Sequence, residues 1–241
     1  MLQNQLELIQ EKVGTPDVFF TDRVSRATVE LARHFRTEGT IIYFEPSGIG
    51  DPKLFREMLK VTTVLKYSAQ RARTFSDLLH SHNALLEIET LGEDGLRFRL
   101  RRNFASWHSL SAREVTVKDT AGSGDWTTIG FLSTLFKNGT YDVAAATRQD
   151  VTRALDYGQA IAALNCEFEG ARGAMYRLTR SRFLEAVGII EGKAPSARKE
   201  RKDSLSLALS TSTICPSCKP KNSVFEQPVA RPSGARLVAK S

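Results

Sequence analysis

Between residues 17 and 90 the chain switches repeatedly between two periodicities, and that alternation leaves few folds open to it. Asp17-Val-Phe-Phe20 reads as a short strand. Residues 23–37 place Val24, Ala27, Thr28, Leu31, Ala32 and Phe35 at helical spacing, and Glu38-Gly39 stops the helix. Thr40-Ile-Ile-Tyr-Phe-Glu45 is a second strand, closed by the turn Pro46-Ser-Gly-Ile-Gly50. Asp51-Pro52 makes an N-cap and N1 pair for a helix carrying Leu54, Phe55, Met58 and Leu59. A strand at 63–66, a helix at 68–80 and a strand at 84–90 continue the series. Strand, helix, strand, helix predicts an α/β sheet with parallel strands at its centre.

Beyond residue 90 the pattern changes. Gly92-Glu-Asp-Gly95 predicts a tight turn into Leu96-Arg-Phe-Arg-Leu100, whose period of two marks an antiparallel hairpin at one side of the sheet. Short strands are predicted at 106–110 and at 115–118, where Val115, Thr116 and Val117 are β-branched. Helices follow at 126–137, with Trp126, Ile129, Gly130, Leu132, Ser133 and Phe136 on one side, and at 150–165. The latter puts Val151, Ala154, Leu155, Gly158, Ile161, Ala162 and Asn165 on one face, a stripe small enough for a neighbour to approach closely. A last helix is predicted over 181–187, after Gly173-Ala174.

The formal charge of +7 suggests a nucleic-acid binder until it is located. Residues 193–241 hold 10 of the basic and 3 of the acidic side chains, so the whole excess lies there and residues 1–192 are balanced. That segment also holds five of the eight prolines, nine serines and one aromatic residue, Phe225, a composition that predicts a disordered tail. The reading is therefore a folded domain over 1–192 and a basic Ser/Pro-rich tail over 193–241. Charge runs such as Arg198-Lys-Glu-Arg-Lys202 are usually solvated, and nucleic acid is not expected as a partner. A tail that recruits nucleic acid or an acidic protein is the third functional reading. Three cysteines, Cys166, Cys215 and Cys218, do not make a disulfide framework, and Cys215-Pro-Ser-Cys218 lacks a second ligand pair for zinc. The start of the chain has no signal-peptide pattern and no stretch is long enough to span a membrane, so a cytoplasmic location is expected.

Chemistry is concentrated in Asp119-Thr-Ala-Gly-Ser-Gly-Asp125. A helix beginning here exposes unpaired N–H groups and partial positive charge, and the glycines let backbone amides approach an anion. An acid at the end of such a loop can take a proton from an attacking hydroxyl. The same residues also suit a plain turn with Asp125 as N-cap, and the motif alone leaves both readings open. Glu45 and Glu89 either line the strand ends or face solvent. His80-Ser-His82 reads as a solvated helix end rather than a metal pair, and Trp107-His108 as strand packing; no metal ligands are assigned.

The loop resembles the C-terminal signature of the PfkB/ribokinase family of carbohydrate and nucleoside kinases, Asp-Thr-x-Gly-Ala-Gly-Asp followed by an aromatic residue and a Gly-Phe pair, here Trp126 and Gly130-Phe131. Thr90-Leu-Gly-Glu-Asp-Gly95 is similar to the family's turn at the nucleotide, and Phe44-Glu-Pro-Ser47 to its strand end. Residues 154–174, ending Arg172-Gly-Ala174, resemble its late helix and Gly-Ala turn. The likeness runs from about residue 15 to 190, in the family's order. It implies a ribokinase-like three-layer sandwich: a mainly parallel sheet, helices on both faces and an antiparallel hairpin at one side. It implies ATP and Mg²⁺ as cofactors, and phosphoryl transfer to a hydroxyl of a sugar or nucleoside. By the resemblance Asp125 is the catalytic base and Gly122, Ser123 and Gly124 form the anion hole. Thr90, Gly92, Gly95, Asp119 and Thr120 border the nucleotide.

Two departures stand out. The family's Asn-x-x-Glu motif falls on Ser68 and Arg71, so a cation replaces the carboxylate that organises metal and phosphate, and both become candidate phosphate contacts. The family's N-terminal part and lid have no counterpart, which implies an exposed sheet edge that a second copy or a complementing half would cover. A catalytically impaired nucleotide- or sugar-phosphate-binding protein is the alternative function.

Overall fold

The computed structural model describes residues 2–80, 82–103, 106–136 and 142–192. The tail reading for 193–241, with Cys215, Cys218 and the 198–202 charge cluster, lies outside the described residues. Six strands form one sheet in the order in which they occur: β1 (Val18–Thr21), β2 (Ile41–Phe44), β3 (Val64–Ser68), β4 (Leu86–Thr90), β5 (Leu96–Leu100) and β6 (His108–Leu110). The first four are parallel, and β5 and β6 add on as antiparallel strands. This is the α/β layout that the alternating periodicities predict.

Strand order equal to sequence order decides where the helices go. Right-handed crossovers that always step the same way put every connecting helix on the same face. Accordingly α2 (Arg26–Thr37), α3 (Pro52–Val61) and the short α4 (Ala69–Ala72) and α5 (Ser76–Leu79) share one core with Ile42, Phe44, Leu65 and Tyr67. The opposite face, with Ile41, Tyr43, Val64, Leu86, Ile88 and Phe98, is covered by α6 (Ser123–Leu135) and α7 (Arg148–Cys166). The result is three layers, helices on both faces of a mixed sheet. All four residues of β2 are buried, as befits a strand covered on both sides.

Local signals set the ends. Ser25 closes a capping box with Thr28, and Thr147 does the same with Asp150. Asp51 accepts from the amides of Lys53 and Leu54, with Pro52 at N1. α3 then buries Phe55, Met58 and Leu59 at the i, i+3, i+4 spacing. Beyond α7, α8 (Gly173–Arg177) and α9 (Arg180–Ile190) flank a smaller cluster around Ile161, Leu164 and Val187. An amphipathic helix α1 (Leu2–Val13), which the sequence reading did not foresee, precedes β1. No described helix is long and apolar enough to cross a membrane.

Three expectations are corrected. The helix predicted over 68–80 is broken into α4 and α5, because Thr74 and Phe75 donate their amides back to Arg71 and Ala72 and Phe75 turns into the core at 2% exposure. The run 115–118 is not a strand: Val117 is 58% exposed, and the Lys118 and Asp119 amides donate to the Cys166 carbonyl at the end of α7. α6 starts three residues earlier than expected and buries Thr127, Thr128, Gly130, Phe131 and Leu135, leaving Ile129 exposed.

The small stripe of α7 does permit a close approach. A Cβ added to Gly158 would lie 2.5 Å from the Thr127 carbonyl oxygen, and one on Gly130 would lie 2.6 Å from Gly158 Cα. Gly158→Ala therefore forces the two helices apart and is expected to destabilise the fold by about 1–3 kcal/mol. Gly188→Ala, in α9 with nothing within 4 Å of its added methyl, is expected to be neutral or mildly stabilising. Urea denaturation of both variants checks the contrast.

Candidate active site

The loop between residue 118 and α6 is built by bonds to a second loop, between α7 and α8. Asp119 accepts the Ala121 amide at 2.9 Å on one oxygen and the Gly170 amide at 2.8 Å on the other. These two bonds hold its carboxyl below the usual range. Asn165, fully buried on α7, donates toward the carbonyls of Ala121 (3.5 Å) and Gly170 (3.4 Å) and accepts from the Ala174 amide at 3.1 Å. The Trp126 indole donates to the Ala171 carbonyl at 2.8 Å and stacks on Phe183. Gly122 adopts φ +76°, and any Cβ there would meet Ala171 at 2.9 Å, so the position needs glycine twice over.

Gly122, not Asp125, is the N-cap of α6, which settles the turn reading against Asp125 as a cap. Asp125 stands in the first helical turn with its side chain exposed. The Ser123 amide donates to Thr120 at 3.1 Å. Among the described residues, the amides of Gly122, Gly124 and Asp125 have no partner. Ser123, expected in the anion hole, thus contributes no free amide, and Asp125 contributes one that was not expected. Three unpaired donors at a helix N-terminus with a flanking carboxylate suit an anion and a proton acceptor side by side.

Beneath this turn lies a lysine that the sequence reading passed over. Lys66, in the middle of β3 with a side chain 2% exposed, donates to Glu45 at 2.5 Å and to the Gly124 carbonyl at 3.1 Å. The other oxygen of Glu45 accepts from Thr128 at 2.8 Å, and Thr128 lies 3.4 Å from the Tyr43 hydroxyl. Burial pushes the Lys66 pKa down, while Glu45, and then Asp125, pull it back. Burial holds the Tyr43 phenol well above its ordinary value. The signal in the sequence was a lysine inside an apolar strand, Val64-Leu-Lys-Tyr-Ser68, which needs a partner to be tolerated there. Glu45 is thereby assigned to the strand ends and not to solvent.

The remaining candidates sit on the same rim, at the C-terminal ends of the parallel strands, where α/β sheets bind ligands. Ser68 ends β3 and pairs in register with Thr90 at the end of β4. Ser68 caps α4, accepting the Arg71 amide at 3.2 Å, and Arg71 is exposed. The Arg71 charge is close enough to lower the Lys66 pKa. Gly92 has φ +67° and Gly95 φ +96°; a Cβ on Gly95 would lie 2.2 Å from the Leu110 carbonyl oxygen. Both therefore have structural reasons to be glycine. Among the described residues no group of three or more His, Cys, Asp or Glu side chains is placed to hold a metal.

On the other side of β4, Glu87 is buried and bonded to Tyr67 Oη (2.5 Å), Arg99 Nε (2.6 Å) and His82 Nε2 (3.0 Å). His82, expected to be solvated, has a side chain only 4% exposed. Glu89 is buried and pairs with Arg97, and the Arg97 and Arg99 guanidiniums lie over the Trp107 ring.

No protein-family model matches the chain, and no curated protein matches it in sequence. Solved structures do. A fructokinase with bound ATP from Xylella fastidiosa superposes with a TM-score of 0.60 at 20% identity, over 76% of this chain and 65% of that one. An Arabidopsis thaliana ribokinase complexed with ribose and ATP gives 0.57 at 16% identity, over 76% and 58%. A Burkholderia thailandensis nucleoside kinase in complex with inosine gives 0.58 at 18% identity, over 79% and 61%. The chain has the ribokinase-like fold of these kinases, and it spans 58–65% of their length.

The Glu87 cluster yields a pH dependence. Burial raises the carboxyl pKa, but hydrogen bonds from His82, Arg99 and Tyr67 outweigh it and bring Glu87 from 4.5 to about 2. A lowered folded-state pKa contributes stability that is present above the unfolded pKa and lost as pH falls toward the folded one. Denaturant midpoints of the protein are therefore expected to fall between pH 5 and pH 2. Glu87→Gln, less stable at neutral pH, should lose less over the same interval.

Proposed function

We propose that the chain carries the phosphoryl-transfer site of an ATP-dependent kinase acting on a hydroxyl of a sugar or nucleoside. The observation that carries this reading is the first turn of α6, where three amides without a partner among the described residues, those of Gly122, Gly124 and Asp125, adjoin an exposed Asp125 carboxylate. The fold supports it, since neighbours that share it are kinases solved with ATP, ribose or inosine. The binding-only alternative has no comparable support.

In this reading the acceptor hydroxyl gives its proton to Asp125 as its oxygen attacks the terminal phosphorus of ATP. The bond to the bridging oxygen breaks, and ADP leaves. Charge on the transferred group is met by the three amides, held in place before the reaction. Asp119 acts here by tying the loop to Gly170, with Thr120 anchoring the Ser123 amide; both border the nucleotide. Thr90, Gly92 and Gly95 shape the adjoining strand end for the nucleotide, and Ser68 and Arg71 stand where a phosphate contact is needed. Mg²⁺ would be held chiefly by the nucleotide's own phosphates, where it neutralises charge. The edge strand β1, with Phe20 46% exposed, offers a second copy or a complementing segment a place to pair.

ATP consumption against a panel of fructose, ribose, inosine and aminoimidazole riboside tests the reading. Turnover with at least one acceptor is expected. Asp125→Asn should then lower kcat by about 10²–10⁴ while calorimetry finds nucleotide binding little changed. Undiminished turnover in this variant would remove Asp125 from the role of base.

A further inference from the structure

Each partner-free amide of the α6 turn belongs to a peptide unit whose carbonyl receives a side-chain donor from below. The Gly122 N–H shares its peptide with the Ala121 carbonyl, toward which Asn165 donates at 3.5 Å. The Gly124 N–H shares its peptide with the Ser123 carbonyl, which accepts from Thr127 Oγ1 at 2.9 Å. The Asp125 N–H shares its peptide with the Gly124 carbonyl, which accepts from Lys66 Nζ at 3.1 Å. The Thr127 bond is the ordinary back-bond of a helical threonine. The Lys66 bond is not local: it comes from the middle of a strand 58 residues away and from a cation buried to 2% exposure.

A donor on a carbonyl does two things to the N–H across the same peptide. It fixes the rotation of the peptide plane, and so the direction in which the N–H points. It also draws electron density toward the oxygen and makes that N–H a stronger donor. A charged donor in a dry site does both most strongly. Burying an ammonium is costly, and here the cost is offset by Glu45, itself held by Thr128 of the same helix. The ion pair therefore grips α6 at two points, the Gly124 carbonyl and the Thr128 hydroxyl one turn on. The charged groups facing Lys66 are Glu45 after β2, Asp125 on α6 and Arg71 on α4.

We propose that Lys66 is a positioning residue of the anion site: through the Gly124 carbonyl it aims and polarises the Asp125 amide at the group being bound. The identity of that group as a transferred phosphoryl rests on the kinase reading, whereas the coupling of Lys66 to the amide does not. Lys66 touches neither substrate nor nucleotide in this account.

The test pairs Lys66→Met with Glu45→Gln, which removes both charges together and leaves Thr128 an acceptor. Amide proton and nitrogen resonances are followed by NMR during titration with orthophosphate. In the wild type, orthophosphate is expected to move the amides of Gly122, Gly124 and Asp125. In the double variant the Asp125 amide proton should shift upfield before any phosphate is added. Orthophosphate should also bind about fivefold to tenfold more weakly, the loss of one charge-assisted contact's strengthening. Thr127→Val, nearly isosteric, should displace the Gly124 amide and spare that of Asp125. With an acceptor found, the double variant should lose about tenfold to a hundredfold in kcat with little change in KM for ATP.

An unmoved Asp125 amide and unchanged phosphate affinity in a folded double variant would overturn the proposal. So would a uniform shift of all loop amides accompanied by lost stability, the sign of a purely structural role. If the double variant does not fold, Glu45→Gln alone decides, since it changes the partner of the Lys66 ammonium: an undisturbed Asp125 amide counts against the coupling. Absence of ATP turnover in the wild type defeats the kinase reading and leaves the NMR result standing; wild-type amides that ignore orthophosphate overturn the proposal whatever the turnover.

Discussion

One buried ion pair fastens the sheet to the helix at the candidate site. Lys66, in β3, and Glu45, just past the end of the neighbouring parallel strand β2, meet under the first turn of α6, tying the sheet to the helix that carries Asp125. A lysine fully inside a sheet would ordinarily be lost from a fold, because desolvation of its charge outweighs what its stem gains by packing. It is tolerated because a carboxylate, a main-chain carbonyl and, through Glu45, a threonine hydroxyl satisfy it. Replacing a buried ion pair with hydrophobic residues of equal volume is often neutral or stabilising. What such a replacement cannot supply is a fixed orientation for the peptide above it.

The topology explains why the pair falls where it does. Parallel strands in sequential order bring their C-terminal ends to one rim, so the ends of β2, β3 and β4 deliver Glu45, Ser68 and Thr90 side by side. The crossover helices occupy one face, which leaves the other for α6 and α7. Gly130 and Gly158 let those two helices approach closely enough for the α7–α8 loop to reach over and bond the turn before α6. Sheet, glycine contact and loop pair are thus successive steps toward placing three amides.

Much of this was legible in the sequence, for identifiable reasons. Strong period changes and caps such as Asp51-Pro52 marked the strands and helices from residue 17 to 68, though not α1 before them, and the α7 stripe pointed to a close neighbour. The loop at 119–125 was recognisable from its glycines and its resemblance. Other features were hidden because they depend on partners distant in sequence. β-branched residues at 115–118 favoured a strand, but the Cys166 carbonyl took the hydrogen bonds a ladder would have used. Helical spacing through 68–80 could not reveal that Phe75 is drawn into the core and breaks the helix. Lys66 looked like the end of a strand, since nothing local shows that Glu45 and Gly124 converge on it. Likewise the buried Glu87 cluster joins four segments and left no local trace.

The central claim is that the first turn of α6 receives the transferred phosphoryl group. A structure of the protein with ADP and a planar metal fluoride, which mimics that group in flight, tests it most directly. The fluoride is expected within hydrogen-bond distance of the Gly122, Gly124 and Asp125 amides, with the Asp125 carboxylate on its far side from ADP. Nucleotide phosphates bound elsewhere, with that turn left to solvent, would contradict it.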